Sequence, residues 1–194
     1  MKKKTLKIII VLVVLFLAAF LGLNKVNFLD YESPKTYDKI NEITLKNFRG
    51  LEFFQSSLYG NEHFAYINTT IDYSFEADSI RVESLFHPSS SYVYNKKAFS
   101  NELLRHELYH FKIAEIYARM IKSRISKLKR TTKIDIENLI DAMKIEENKF
   151  QAKYDDDTFH SYVLSEQKKY EKSIDSLITQ YDNFKNPKVY IYEK

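Results

Sequence analysis

The chain has no cysteine and no tryptophan, and only 3 glycines and 3 prolines among 194 residues. Without cysteine there is no disulfide and no thiolate metal site, whatever the compartment. Any metal must then be held by histidines and carboxylates. So few glycines leave no room for a glycine-rich loop that cradles phosphates. What is abundant is aromatic, with 15 Tyr and 14 Phe, which suits packing on helices and strands. At 44% hydrophobic and 29% charged residues the composition is that of a globular chain rather than a disordered one. Beyond the first stretch there is room for one domain of about 165 residues, long enough to bury a core.

The net charge of +4 is carried by one end. Lys2, Lys3, Lys4, Lys7 and Lys25 supply five positive charges, and residues 1–25 contain no acid. Removing those five leaves −1 for the rest. A nucleic-acid binder keeps its basic surplus in the folded domain, so no nucleic-acid partner is expected. Between Lys7 and Lys25 runs an unbroken apolar stretch of 16 residues, Ile8 to Leu23. As a helix it covers about 24 Å, which snorkelling lysines at its ends extend. It falls between a signal-peptide core and a full membrane span, with no clean cleavage site behind it. The expectation is a signal anchor or a cleaved signal peptide over residues 1–25. In either case the lysines stay in the cytoplasm and the body lies outside it, membrane-anchored or, if cut, secreted or periplasmic.

Residues 26–48 form a polar connector, with a short helix expected around Tyr37–Leu45. From residue 49 a domain is expected to run to 186, leaving 187–194 as a C-terminal tail. Its first part is β-like: His63–Asn68, Ile71–Phe75 and Ile80–Phe86 are rich in aromatic and β-branched residues, with turns at Gly60-Asn61 and Ala77-Asp78-Ser79. Its second part is helical. Ser100 is an N-cap, and Leu103, Leu104, Phe111, Ala114, Ala118, Ile121 and Ile125 recur at helical spacing. Further helices are expected over Ile134–Lys153 and Glu166–Phe184. The fold class is α+β, a small antiparallel sheet followed by three helices, zincin-like, with an N-terminal hydrophobic helix. Lys122, Arg124, Lys127, Lys129 and Arg130 close the first long helix, where cations complement its dipole and keep it soluble.

Inside that helix stands His106-Glu107-Leu108-Tyr109-His110, an H-E-x-x-H pattern. Histidines at i and i+4 share one face and can reach a single Zn²⁺, while the glutamate beside them can accept a proton from water that the metal has acidified. A catalytic zinc takes three protein ligands. The metzincin continuation needs Gly and His at positions 113 and 116, but both are Ile, so that subclass is excluded. Glu115 lies about 140° round the helix from His110 and cannot share its metal. The third ligand is left among Glu146 or Glu147 on the following helix and His160 in the break after it. Tyr154 or Tyr162 is a candidate donor to a tetrahedral intermediate.

Leu103 to Glu115, with Tyr117-Ala118-Arg119 after it, resembles a bacterial family described as predicted secreted zinc-dependent proteases. Its pattern is similar to L-x-H-E-Q-G-H-F-D-I-A-E-x-x-A-R followed by Y-D-x-x-T-x-H-G. Tyr154-Asp155, Thr158 and His160 match the second block, and Ser91-Tyr92-Val93 is similar to an S-W-V before the helix. The resemblance implies His160 as the third ligand and Asp155 as a carboxylate that orients a ligand or fixes the turn. Leu108 and Tyr109 stand in place of the family's Gln and Gly, Ser161 in place of the Gly after His160, and Tyr92 in place of Trp. Tyr109 is expected to narrow the cleft. The expected protein is an exported zinc metallopeptidase: Zn²⁺ on His106, His110 and His160, Glu107 as general base, and a peptide or protein substrate. The alternative is an envelope protein that binds zinc or a partner without catalysis.

Overall fold

The computed structural model describes residues 3–25, 32–50, 65–93, 100–128 and 132–191. Helix α1 (Lys3–Lys25) is followed by β1 (Lys35–Thr36) and by 3-10 turns at Tyr37–Glu42 and Leu45–Asn47. Strands β2 (Ala65–Tyr66), β3 (Thr69–Phe75), β4 (Ser79–Phe86) and β5 (Tyr92–Val93) come next. Helices α2 (Asn101–Ile125), α3 (Lys133–Thr158) and α4 (Leu164–Gln180) and a last strand, β6 (Lys188–Tyr190), complete the chain. This is an α+β architecture with a small antiparallel sheet. In α1 the stretch Lys4–Leu21 has a mean hydropathy of 2.5 and none of it is buried. It is long and apolar enough to cross a membrane.

Strand β4 organises the sheet. It pairs antiparallel with β3 from Phe75↔Ile80 to Thr69↔Phe86. Its other edge takes β1 at the Phe86 end and β6 at the Ser79 end. Alternation drives this placement: Ile80, Val82, Ser84 and Phe86 are buried while Arg81, Glu83 and Leu85 are less so, the period of two of a half-buried strand. Two expectations change here. The segment assigned as a C-terminal tail supplies β6 to the sheet, because Val189 packs on the core and Lys188 pairs with Glu76 at 2.9 Å. The segment assigned as a connector supplies β1 and the buried Ile43, and the expected helix near Tyr37–Leu45 forms as two 3-10 turns. A separate two-stranded ladder joins β2 to β5 through Ala65↔Val93 and Tyr66↔Tyr92. The expected turn at Gly60-Asn61 lies outside the described residues.

Helix α2 is the central element. Ser100 Oγ accepts the Leu103 N–H at its start, and 16 of its 25 residues are buried. One side packs on the sheet, with Ala114, Ala118, Ile121 and Ile125 against Ile71, Ile80 and Val82. Another meets α3 and α4, where Tyr109, Ile113 and Ile116 pack with Tyr154 and Ile174. Helix α3 opens on a capping box in which Thr132 and Asp135 satisfy each other's backbone N–H groups. It runs five residues past the expected Lys153, so Tyr154, Asp155 and Thr158 belong to its last turn rather than to a break between helices.

Ile140 of α3 is fully buried in the cluster that joins α3 to α2 and the sheet. Ile140→Ala is expected to lower stability by about 2–5 kcal/mol, read from urea unfolding of the full chain. A loss below about 1 kcal/mol would contradict this packing.

Candidate metal centre

On an ideal helix, residues four apart lie about 40° apart on one face. His106 and His110 therefore project together from α2, and they meet the last two turns of α3. Their rings are 4.9 Å apart between centroids, edge to face. Their Nε2 atoms stand 3.2 Å from each other. Two nitrogens bound to one tetrahedral Zn²⁺ at about 2.0–2.1 Å would be separated by about 3.3 Å. Asp155 Oδ1 completes the cluster, 3.0 Å from His106 Nε2, 2.9 Å from His110 Nε2 and 3.4 Å from His160 Nδ1. His106, Asp155 and His160 each offer a donor atom within 4.8 Å of the other two. The spacing and the donor chemistry fit a small divalent cation with nitrogen and oxygen ligands.

Further contacts hold these side chains in place. Gln151 Oε1 meets His110 Nδ1 at 2.5 Å, and Gln151 Nε2 donates to the His110 carbonyl at 3.0 Å and to Glu147 Oε1 at 2.6 Å. A second hydrogen bond of that kind fixes the ring and tautomer of a metal-binding histidine. His106 is held differently. Its ring stacks on Tyr154 at 4.7 Å between centroids, and its Nδ1 is buried with no hydrogen-bond partner among the described residues.

His160 reaches the cluster through an unusual turn. Helix α3 ends with Phe159, His160 and Ser161 all at positive φ, 48°, 50° and 76°. The His160 N–H returns to the Asp155 carbonyl at 3.1 Å, and Thr158 Oγ1 donates to the Tyr154 carbonyl at 2.6 Å. The chain thus reverses tightly enough to bring His160 back over Asp155. The left-handed region is unfavourable for residues with a Cβ, which explains why glycine suits position 161.

Glu107 points to the other side of the cluster. Its Oε2 accepts the Ile67 N–H at 2.9 Å, which ties α2 to the segment after β2. Burial pushes its carboxyl up to about 7, against the opposing pull of His110. Burial also pulls His106 down to about 4. Burial acts the same way on His110, but the hydrogen bond and charge of Asp155 overcome it and raise His110 to about 9. Asp155 resists its own burial and stays well below the usual carboxylate range through hydrogen bonds from His106, His110 and His160. A cavity of about 170 Å³ opens over Ala65, Ile67, Glu107, His110, Asp155 and His160.

Other expected site residues lie elsewhere. Tyr154 is fully buried under His106, with its hydroxyl in the protein interior, so it is not placed to donate to a substrate. Tyr109 packs against α4 and donates to Asp175 at 2.8 Å, away from the cavity it was expected to narrow. Glu146 faces Arg124 at 3.8 Å, whereas Glu147 reaches the cavity wall one turn beyond Gln151. Glu115 is bound by Arg119 and Ser84, far round the helix. Gln151 and the Ile67 N–H were not expected. Gln151 had a legible signal: Glu147, Gln151 and Asp155 are spaced by four and form one stripe of α3.

Ser161→Gly should relieve the backbone at the turn and raise stability by about 1 kcal/mol, seen as a melting temperature higher by a few degrees. An unchanged or lower value would show that the left-handed turn is not strained.

The family described as bacterial proteins of unknown function (DUF922) matches residues 88–161, a stretch that holds both the His106–His110 pattern and the turn to His160. Comparison with curated proteins and with solved structures returns no match.

Proposed function

We propose that the chain is a zinc-dependent hydrolase of peptide bonds, with His106, His110 and His160 as metal ligands and Glu107 as general base. The observation that carries this reading is the 3.2 Å approach of His106 Nε2 and His110 Nε2 beside a cavity with Glu107 on its wall. Bound there, zinc would supply Lewis acidity at neutral pH. Glu107 Oε2 is fixed by Ile67, and its other oxygen makes no hydrogen bond among the described residues, so it is free to take a proton from the attacking water. Ala65, Tyr66 and Ile67 put extended backbone on the same wall, the form along which a peptide substrate pairs. Gln151 orients His110, and Asp155 draws the three imidazoles together. The apolar α1 supports a domain tethered outside the cytoplasm, with its lysines inside.

A second reading has its own observation. Asp155 Oδ1 already stands at ligand-like distances from three imidazoles, and four protein ligands would close the site. Closed zinc sites are structural. The same measurements separate the two.

The full chain in neutral detergent should bind about one equivalent of zinc, and less than about 0.2 equivalents after titration would refute both readings. Glu107→Gln should keep the metal and lower peptide hydrolysis by about 10²-fold or more; turnover equal to wild type would overturn the catalytic reading. His160→Ala should weaken zinc binding by at least about 100-fold, and an unchanged affinity would move the third ligand to Glu147.

A further inference from the structure

The opposite face of α2 carries a second polar cluster. Glu115, Arg119 and Lys122 lie about 160–220° round the helix from His106. They line a cavity of about 660 Å³ whose apolar wall is Tyr37, Ile40, Val82 and Pro187. The volume is that of a small-molecule site. Lys122 was expected among solvated cations at a helix end, yet only 2% of it is exposed.

Its neighbours are already engaged. Glu115 accepts from Arg119 Nε at 2.7 Å through one oxygen and from Ser84 Oγ at 2.7 Å through the other. Arg119 also donates to the Ile178 carbonyl at 3.0 Å. Of the other cations on the wall, Lys112 is held by Asp175 at 2.7 Å and Lys185 by Asp182 at 3.1 Å. The Lys122 ammonium, which borders the cavity, makes no hydrogen bond or ion pair among the described residues. Buried ammonium groups are ordinarily paired, because losing hydration without a partner is costly. Burial pulls Lys122 down to about 8, with Glu115 acting against the shift, so the amine remains largely protonated at neutral pH.

We infer that this cavity is a second binding site, taking a singly charged carboxylate carried on an apolar body. The carboxylate supplies the acceptor that Lys122 lacks, and the body lies against Tyr37, Ile40, Val82 and Pro187. A single charge is favoured because Lys112, Arg119, Lys122 and Lys185 face Asp38, Glu83 and Glu115 across the space, a surplus of one positive charge that one carboxylate balances.

The test is calorimetric titration of the full chain in neutral detergent with 3-phenylpropionate, its uncharged amide, and phenyl phosphate. The carboxylate should saturate one site, and the amide and the phosphate should each bind at least about tenfold more weakly. Lys122→Met, which keeps the stem and removes the charge, should bind the carboxylate at least about tenfold more weakly and melt at a higher temperature than the unliganded wild type. The zinc-free and zinc-loaded chains should bind it equally, which separates this cavity from the metal centre. The proposal is overturned by no saturable binding up to about 10 mM, by equal binding of the amide, or by undiminished binding in Lys122→Met. Binding that depends on zinc, or a Lys122→Met chain less stable than wild type, would overturn it equally.

Discussion

Three imidazoles face one carboxylate oxygen, and that convergence constrains the rest of the domain. Asp155 Oδ1 lies within 3.4 Å of nitrogens from His106, His110 and His160. Bringing these groups out of water is unfavourable unless they are paired with one another or with a metal. The pairing requires the last turn of α3 to sit against the second turn of α2, and it requires the chain to reverse immediately afterwards. Tyr154, Ile113, Ile116 and Ile174 provide the apolar packing that holds the two helices at that distance. Thr158 and the three positive-φ residues provide the reversal.

A helix used in this way must be buried on several sides and still carry charge. Helix α2 meets that demand by separating its polar groups. His106 and His110 face α3, Glu107 faces the segment after β2, and Glu115, Arg119 and Lys122 face the sheet edge and the 3-10 turns. Among the described residues each group has a partner suited to it except Lys122, whose ammonium borders the larger cavity. The apolar residues between these polar groups, Phe111, Ile113, Ala114 and Ala118, are all at most 1% exposed. The helix thus forms part of the wall of two cavities with different linings.

Much of this was legible in the sequence. Strand β4 could be read from the alternation of Ile80 and Val82 with Arg81 and Glu83, and α2 from its apolar spacing and Ser100. The placement of His106, Glu107 and His110 follows from helix geometry alone. Other features depend on tertiary contact. β6 is three residues long, too short for periodicity to mark it, and it forms because β4 leaves an edge free at Ser79. The 3-10 turns near Tyr37 arise because Ile43 and Phe48 are drawn into the core. Tyr154 could be taken for a donor only because sequence does not show which way a helix is turned; the structure stacks it on His106. Lys122 was hidden among the cations at the end of the helix, since exposure cannot be read from charge.

The proposed chemistry requires that the imidazoles that converge at Asp155 hold one metal ion together. X-ray absorption at the zinc edge of the full chain, loaded with one equivalent, counts the imidazoles on the metal directly. The account predicts three of them at about 2.0–2.1 Å together with oxygen. A spectrum with one imidazole or none would contradict it.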